Sequence, residues 1–215
     1  MDKDFRHYIK KFWHFLWYED SFLSWVVNII FAFVLIKFAI YPGLGFILGT
    51  THPVVAVVSE SMEHNKGFDE WWENSKNWYG QNGITKEQFS NFKLKNGFNK
   101  GDIMVLHGKK AEDINAGDII VFVSSKPDPI IHRVVKKTKK DGLYYFTTKG
   151  DNYKTNPYPI KDKIFGLDET DIKENQVIGA ALLRIPFIGY IKIGFVNIIS
   201  FLRQSLYNIA GTPIS

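Results

Sequence analysis

The sequence predicts a mainly β protein with a barrel-like or sandwich body and an apolar helix at its amino end. Short β-branched and aromatic runs recur at regular spacing through residues 54–183, which is typical of all-β domains. Residues 21–41 are almost continuously apolar. Residues 66–99 show helical signals, including Thr85 as a candidate N-cap with Gln88 three residues on, and are interpreted as a small helical insertion on the β body. The apolar residues 185–215 are expected to form a membrane-associated carboxyl-terminal helix.

The apolar segment 21–41 predicts a transmembrane anchor. Only Ser24, Asn28 and Lys37 interrupt it, and about 20 apolar residues span the core of a bilayer as a helix. A core helix of a soluble domain would show a polar stripe, and a cleaved signal peptide would have a small-x-small site just after its apolar run. Neither pattern is found, and Tyr41-Pro42-Gly43 is predicted to end the helix.

Charge on the two sides of this helix predicts its orientation. Residues 1–20 contain four Lys or Arg, whereas residues 42–61 contain none. Because positive residues are retained on the cytoplasmic side, we expect a cytoplasmic or interfacial segment over 1–20 and an external β-rich body over 42–184. The expected location is the cell membrane, with membrane lipid as one partner. Whether residues 185–202 span the bilayer or lie at its surface stays open.

Composition excludes several classes of chemistry. The chain has no Cys, so disulfides, zinc–thiolate sites, iron–sulfur clusters and a Cys nucleophile are excluded. The net charge of +5 arises from 27 Lys and Arg against 22 Asp and Glu, and several of the lysines are scattered in polar stretches. This excess of scattered positive charge is only weak evidence for nucleic-acid binding. We therefore expect no nucleic-acid partner, no metal and no cofactor.

Polar residues at the ends of predicted strands are the candidates for catalysis. Ser61 follows the buried run Val54–Val58, which would present its hydroxyl at the end of the sheet, but a serine needs a base to become a nucleophile. His132 is predicted to share a strand face with Ile130 and Val134. Asp151 follows the next strand, in a hairpin that turns at Asp141-Gly142. Taken alone, these residues are equally compatible with a capping Ser, a core His and a turn Asp.

Five short motifs that contain these residues resemble, in order, the conserved boxes of type I signal peptidases. They resemble the archaeal and endoplasmic-reticulum branch, in which a His replaces the Lys base of the usual bacterial enzymes. A sixth motif, Ile185-Pro186-Phe187-Ile188-Gly189, is similar to the closing motif of that family. The five boxes are Val58-Ser59-Glu60-Ser61-Met62-Glu63, Gly101-Asp102-Ile103, Gly117-Asp118-Ile119-Ile120-Val121-Phe122, Ile131-His132-Arg133-Val134 and Thr148-Lys149-Gly150-Asp151-Asn152.

The resemblance implies a membrane-bound serine endopeptidase that cleaves signal peptides from exported preproteins. It makes Ser61 the nucleophile and His132 the general base. Ser59 and the amide of Ser61 would form the oxyanion hole. The precursor would bind as an extended strand beside the strand that precedes Ser61, and the protein translocation machinery is a further candidate partner.

Three departures from the family pattern affect the interpretation. Glu60 stands where the family usually has Gly, and the insertion 66–99 lengthens the link to the next box. The second Asp that usually follows the Gly-Asp-Asn box is missing. Asp151 is therefore expected to orient His132, with Asn156 and Asp162 as alternative positions.

Two other functions remain open at this stage. The missing Asp and Glu60 would suit a catalytically silent, substrate-binding membrane subunit of the same family. A related self-cleaving regulator would need a cleavable site or a DNA-binding module, and we find neither in the sequence. The insertion is expected to be dispensable for folding.

Overall fold

The computed structural model describes residues 3–162, 164, 166–188, 194, 198, 200 and 201. The chain divides into two compact units, Met1–Ile47 and Leu48–Ser215. Most of the predicted carboxyl-terminal helix, 185–215, lies outside the described residues, and so does Gly189 of the closing motif. The prediction of this helix therefore stays open.

Two helices with satisfied polar groups form most of the amino-terminal unit. Helix α1 is Lys3–Tyr18 and helix α2 is Phe22–Leu35. The hydroxyl of Ser21 caps α2 by accepting a hydrogen bond from the amide of Ser24 at 3.1 Å. The Ser24 hydroxyl and the Asn28 amide then donate to main-chain carbonyls of α1, each at 2.9 Å. These polar side chains therefore need no water, as a membrane segment requires.

The apolar helix is longer than the sequence predicts. Helix α2 continues through a π-helical turn, Ile36–Ile40, into helix α3, Tyr41–Leu48. The expected end at Tyr41-Pro42-Gly43 is therefore wrong. The amide of Tyr41 bonds to the carbonyl of Ile36, five residues back, and such a bulge lets the helix accommodate the ring of Pro42. Within the described residues, Phe22–Leu48 is the one helix that is long and apolar enough to cross a membrane.

The body is built on an antiparallel seven-stranded sheet with the order β1-β2-β9-β3-β4-β5-β8, and strands β6 and β7 form a separate pair. The mainly β fold predicted from the sequence is confirmed. The strands are β1 (Val54–Ala56), β2 (Ile103–His107), β3 (Ile119–Phe122), β4 (Ile130–Lys140), β5 (Leu143–Lys149), β6 (Lys161–Asp162), β7 (Leu167–Asp168), β8 (Ile172–Lys173) and β9 (Val177–Ile185).

The β4–β5 hairpin carries the histidine motif and confirms its predicted alternation. Asp141 and Gly142 both have positive φ angles, 51° and 83°, as the favoured two-residue hairpin turn requires. Along β4, Val134 belongs to a buried cluster on one face of the sheet, whereas Val135 packs into a cluster on the other face. His132 and Arg133 must therefore point to opposite faces, as period-two alternation dictates.

The insertion forms helix α4, Phe68–Gln81, and helix α5, Lys86–Ser90. The predicted capping box is present, because Thr85 and Gln88 each bond to the other's main chain. The buried side chains of the insertion pack with Val135 of β4, and these side chains are Trp71, Trp72, Tyr79, Ile84 and Phe89. The insertion is therefore part of the core of the body.

Candidate active site

Ser61 lies in a tight turn that is hydrogen-bonded to the Gly-Asp-Asn motif. The amide of Glu63 closes the turn on the carbonyl of Glu60 at 3.1 Å. Asn152 fastens it twice, since its side-chain amide donates to Glu60 O at 2.9 Å and its main-chain amide donates to Ser61 O at 2.8 Å. A Cβ at Gly150 would come within 2.7 Å of Ser61 O, so only glycine permits this close approach.

Ser61 and His132 line the same cavity, which has a volume of about 540 Å³. The Ser59 hydroxyl also faces this cavity and lies 3.1 Å from the Ser61 hydroxyl. Asn156 lies on its wall. The fold therefore brings together four of the six predicted site residues. The remaining two, Asp151 and Asp162, lie elsewhere.

The imidazole of His132 is fixed by a carboxylate that the sequence analysis missed. The ring is only 2% exposed, and Nδ1 forms a short contact with Oε1 of Glu169. Because an ionised carboxylate only accepts hydrogen bonds, Nδ1–H is the donor in this contact and Oε1 of Glu169 is the acceptor. In the neutral imidazole, the other ring nitrogen, Nε2, then keeps its lone pair, which is the state that a general base requires.

Glu169 is held by hydrogen bonds on every side. The Thr148 hydroxyl donates to Oε1 at 2.8 Å, and the amide of Ile160 donates to Oε2 at 2.7 Å. In the main chain, the carbonyl of Glu169 accepts from the Thr148 amide at 2.8 Å, and the amide of Glu169 donates to the Ile160 carbonyl at 2.9 Å. No local motif marks Glu169 in the sequence, because the chain returns it to His132 only after the β6–β7 pair.

Asp151 makes no contact with His132, so the structure does not bring these two predicted site residues together. Its carboxylate is fully buried and accepts hydrogen bonds from Arg133 Nε at 3.0 Å and Nη2 at 2.6 Å. It also contacts His64 Nε2 at 3.3 Å and Tyr79 Oη at 3.0 Å. Alternation along β4 explains the difference, because Asp151 lies on the Arg133 face of the sheet and His132 points to the other.

The charge on Asp151 is stabilised by these neighbours. Burial alone would raise the pKa of the Asp151 carboxyl, but the Arg133 guanidinium and the hydrogen bonds from His64 and Arg133 hold this pKa well below its ordinary value. Burial raises the pKa of the Tyr79 hydroxyl, and the negative charge of Asp151 raises it further. Tyr79 is therefore a neutral donor to an ionised carboxylate.

The two alternative positions also fail to reach the imidazole. Asn156 packs over Gly150, and its side-chain oxygen accepts a hydrogen bond from Thr155 at 2.9 Å. Asp162 lies in β6, where its carboxylate is 3.7 Å from the Lys126 ammonium. The residue that contacts Nδ1 of His132 is Glu169.

Lys149 is the one lysine of the motifs that the fold buries. Its ammonium donates to Gly150 O at 2.7 Å and lies over the rings of Trp78 and Tyr79. Burial lowers the pKa of Lys149 to about 8. It lines a second cavity, of about 240 Å³, beside α4 rather than the cavity that contains Ser61. Lys149 and Ser61 therefore line different cavities.

The site therefore consists of a serine and a histidine that line one cavity of an antiparallel β body, with the imidazole in contact with Glu169. Similar curated proteins are catalytic subunits of signal peptidase complexes. The human "Signal peptidase complex catalytic subunit SEC11C" is 28% identical over 157 residues, which are 72% of this chain and 62% of the human protein. The SEC11 subunit of Colletotrichum graminicola is 26% identical over 166 residues, which are 76% of this chain and 76% of the fungal protein. The SEC11 subunit of Pyricularia oryzae is 30% identical over 98 residues, which are 45% of this chain and 55% of that protein.

These relatives confirm the resemblance to the endoplasmic-reticulum branch of type I signal peptidases. The match with the mammalian SEC11C proteins spans about three fifths of their length. No protein-family model matches the chain.

Proposed function

We propose that this chain is a membrane-anchored serine endopeptidase that removes signal peptides from exported precursor proteins. One observation carries the proposal. Ser61 and His132 line the same cavity, and Glu169 contacts Nδ1 of the imidazole, which favours the tautomer with Nε2 free to accept a proton. The names of the relatives support signal peptides as the substrate class.

In the proposed reaction, Ser61 Oγ attacks the carbonyl carbon of the scissile peptide while His132 Nε2 takes the hydroxyl proton. The imidazolium then gives this proton to the leaving amine, and the C–N bond breaks. A water molecule, deprotonated by the same nitrogen, hydrolyses the acyl-enzyme and regenerates Ser61. The carbonyl oxygen becomes negative in both tetrahedral intermediates. The Ser59 hydroxyl, 3.1 Å from Ser61 Oγ, and the Ser61 amide are the proposed donors to that oxygen.

The proposed substrate binds as an added strand along β1. Within the part of the chain that the structure describes, β1 pairs only with β2 and so forms an edge of the sheet. An extended peptide can add to such an edge through main-chain hydrogen bonds. Beside it, the cavity wall carries the apolar side chains of Ala56, Val58 and Ile131, which fit small side chains upstream of the cut.

Ser61→Ala tests the proposal. We expect cleavage of a purified precursor, reconstituted with the full chain in detergent or liposomes, to fall by at least about 10⁴-fold, because the nucleophile is lost. Ser90→Ala, the same change in the insertion, is the control and should cleave at the wild-type rate. The cut bond is identified by mass spectrometry. Retained cleavage at that bond by folded Ser61→Ala would show that the serine mechanism is wrong.

We also propose that the amino terminus is cytoplasmic and the body external, as the four basic residues before the apolar helix suggest. In intact cells, protease added outside should digest the body beyond Leu48, and alkaline carbonate should not release the chain from membranes. Protection of the body until the membrane is permeabilised would reverse this orientation. Exported preproteins and lipid are the proposed partners, and the translocation machinery remains a sequence-based prediction.

A further inference from the structure

We propose that Glu169 is the positioning residue that orients His132 and stabilises its protonated form during catalysis. This inference deepens the proposed function and depends on it. It assigns to the end of strand β7 a role that the family resemblance places on an Asp soon after the Gly-Asp-Asn motif. That stretch of this chain, Tyr153-Lys154-Thr155-Asn156-Pro157, contains no carboxylate.

The surroundings of Glu169 suit an ionised acceptor. The residue is fully buried, and three donors surround its carboxylate. His132 Nδ1 and the Thr148 hydroxyl approach Oε1, while the amide of Ile160 approaches Oε2. An ionised carboxylate has only acceptor sites, and these three donors match them. The carboxylate of Glu169 therefore lies directly against the Nδ1 edge of the imidazole.

The fold also makes this contact rigid. Glu169 is tied to β5 through Thr148 N and to Ile160 through its own amide. Burying a carboxylate without hydrogen-bond partners would be costly, and His132, Thr148 and Ile160 supply those partners for Glu169. Asp151 cannot substitute, because its charge is neutralised by Arg133 on the opposite face of the sheet.

In the reaction, Glu169 keeps the proton on Nδ1 and so keeps the lone pair on Nε2. When Nε2 takes the Ser61 proton, the imidazole becomes positive, and the adjacent carboxylate stabilises that charge. The proton on Nδ1 stays there, and Glu169 itself is not protonated. Thr148 fixes the carboxylate from a fully buried position and does not line the cavity that contains Ser61.

Glu169→Gln is the principal test, with precursor cleavage by the full chain as the assay. The amide keeps the size of the side chain but loses its charge and can present its NH₂ group to Nδ1, which favours the wrong tautomer. We expect kcat to fall by about 10³–10⁴-fold with little change in KM. The acid limb of the pH–rate profile should move to lower pH, because the negative charge that favours imidazolium is gone.

Glu169→Asp should recover part of the rate. Glu87→Gln, on the exposed face of α5, is the matched control.

The outcomes separate this inference from the proposed function. If Ser61→Ala is inactive but folded Glu169→Gln stays within about tenfold of wild type with an unchanged pH profile, the inference is overturned and the proposed function stands. If Ser61→Ala is active, the proposed function itself fails. Should Glu169→Gln not fold, Thr148→Val replaces it, since it removes one donor to Oε1 at constant volume. A lowered kcat with a displaced acid limb supports the inference, and a wild-type profile overturns it.

Discussion

Replacing residues 68–97 by a short glycine linker is expected to abolish cooperative unfolding of the body. The insertion supplies five large buried side chains and also covers the Arg133–Asp151 pair. Trp71 Nε1 donates to Asp151 O at 2.8 Å, and the carbonyls of Lys93 and Leu94 accept from the Arg133 guanidinium at 3.0 Å. Removing these partners exposes the centre of β4 and leaves polar groups there unpaired.

The measurement is denaturant unfolding of the full chain in detergent, followed by near-ultraviolet circular dichroism. Trp71→Ala, which leaves the insertion in place, should lower the free energy of unfolding by about 3–5 kcal/mol. Tyr158→Ala is the control, because that ring is 68% exposed, and it should change stability by less than about 0.5 kcal/mol. A linker variant with a wild-type transition would restore the simpler expectation that the insertion is dispensable for folding.

Asp151→Asn is expected to destabilise the body by about 3–5 kcal/mol, because it leaves the guanidinium of Arg133 buried without its counter-charge. Both side chains are fully buried, and the guanidinium also lies 4.7 Å from the centre of the Phe89 ring. Asp141→Asn makes the same chemical change in the exposed hairpin turn and should be nearly neutral. Denaturant unfolding of the two variants at pH 7 compares them.

The pH dependence of stability provides a second readout for Asp151. The folded state holds the pKa of this carboxyl below its ordinary value of about 4, so its stabilising contribution is complete above that pH. The contribution is lost as the pH falls below about 4 towards the folded-state pKa, since the unfolded chain then binds the proton more readily. Wild type should therefore lose stability more steeply below pH 4 than Asp151→Asn does. Equal slopes would show that the carboxylate is not stabilised as the geometry indicates.

The fold could be predicted well from local patterns. Strand alternation located His132 and Arg133 on opposite faces, the Asp-Gly pair located the hairpin, and the Thr85–Gln88 box located the start of α5. Each of these signals depends on neighbours within a few residues, and the structure confirms them. The helix end at Pro42 was mispredicted, because a π-helical turn just before the proline relieves the clash that normally stops a helix.

The amino-acid sequence by itself determined the β class, the apolar helix, and Ser61 and His132 as the candidate nucleophile and base. Only the tertiary structure decided which carboxylate faces His132 and what the insertion does. Asp151 and Glu169 follow β5 and β7, and nothing local distinguishes an acid that pairs with Arg133 from one that pairs with His132. That choice depends on which face of the sheet each carboxylate reaches after the chain reverses, which is a non-local property. The same holds for the insertion, whose aromatic residues in α4 and α5 become core only because β4 presents Val135 and Arg133 to them.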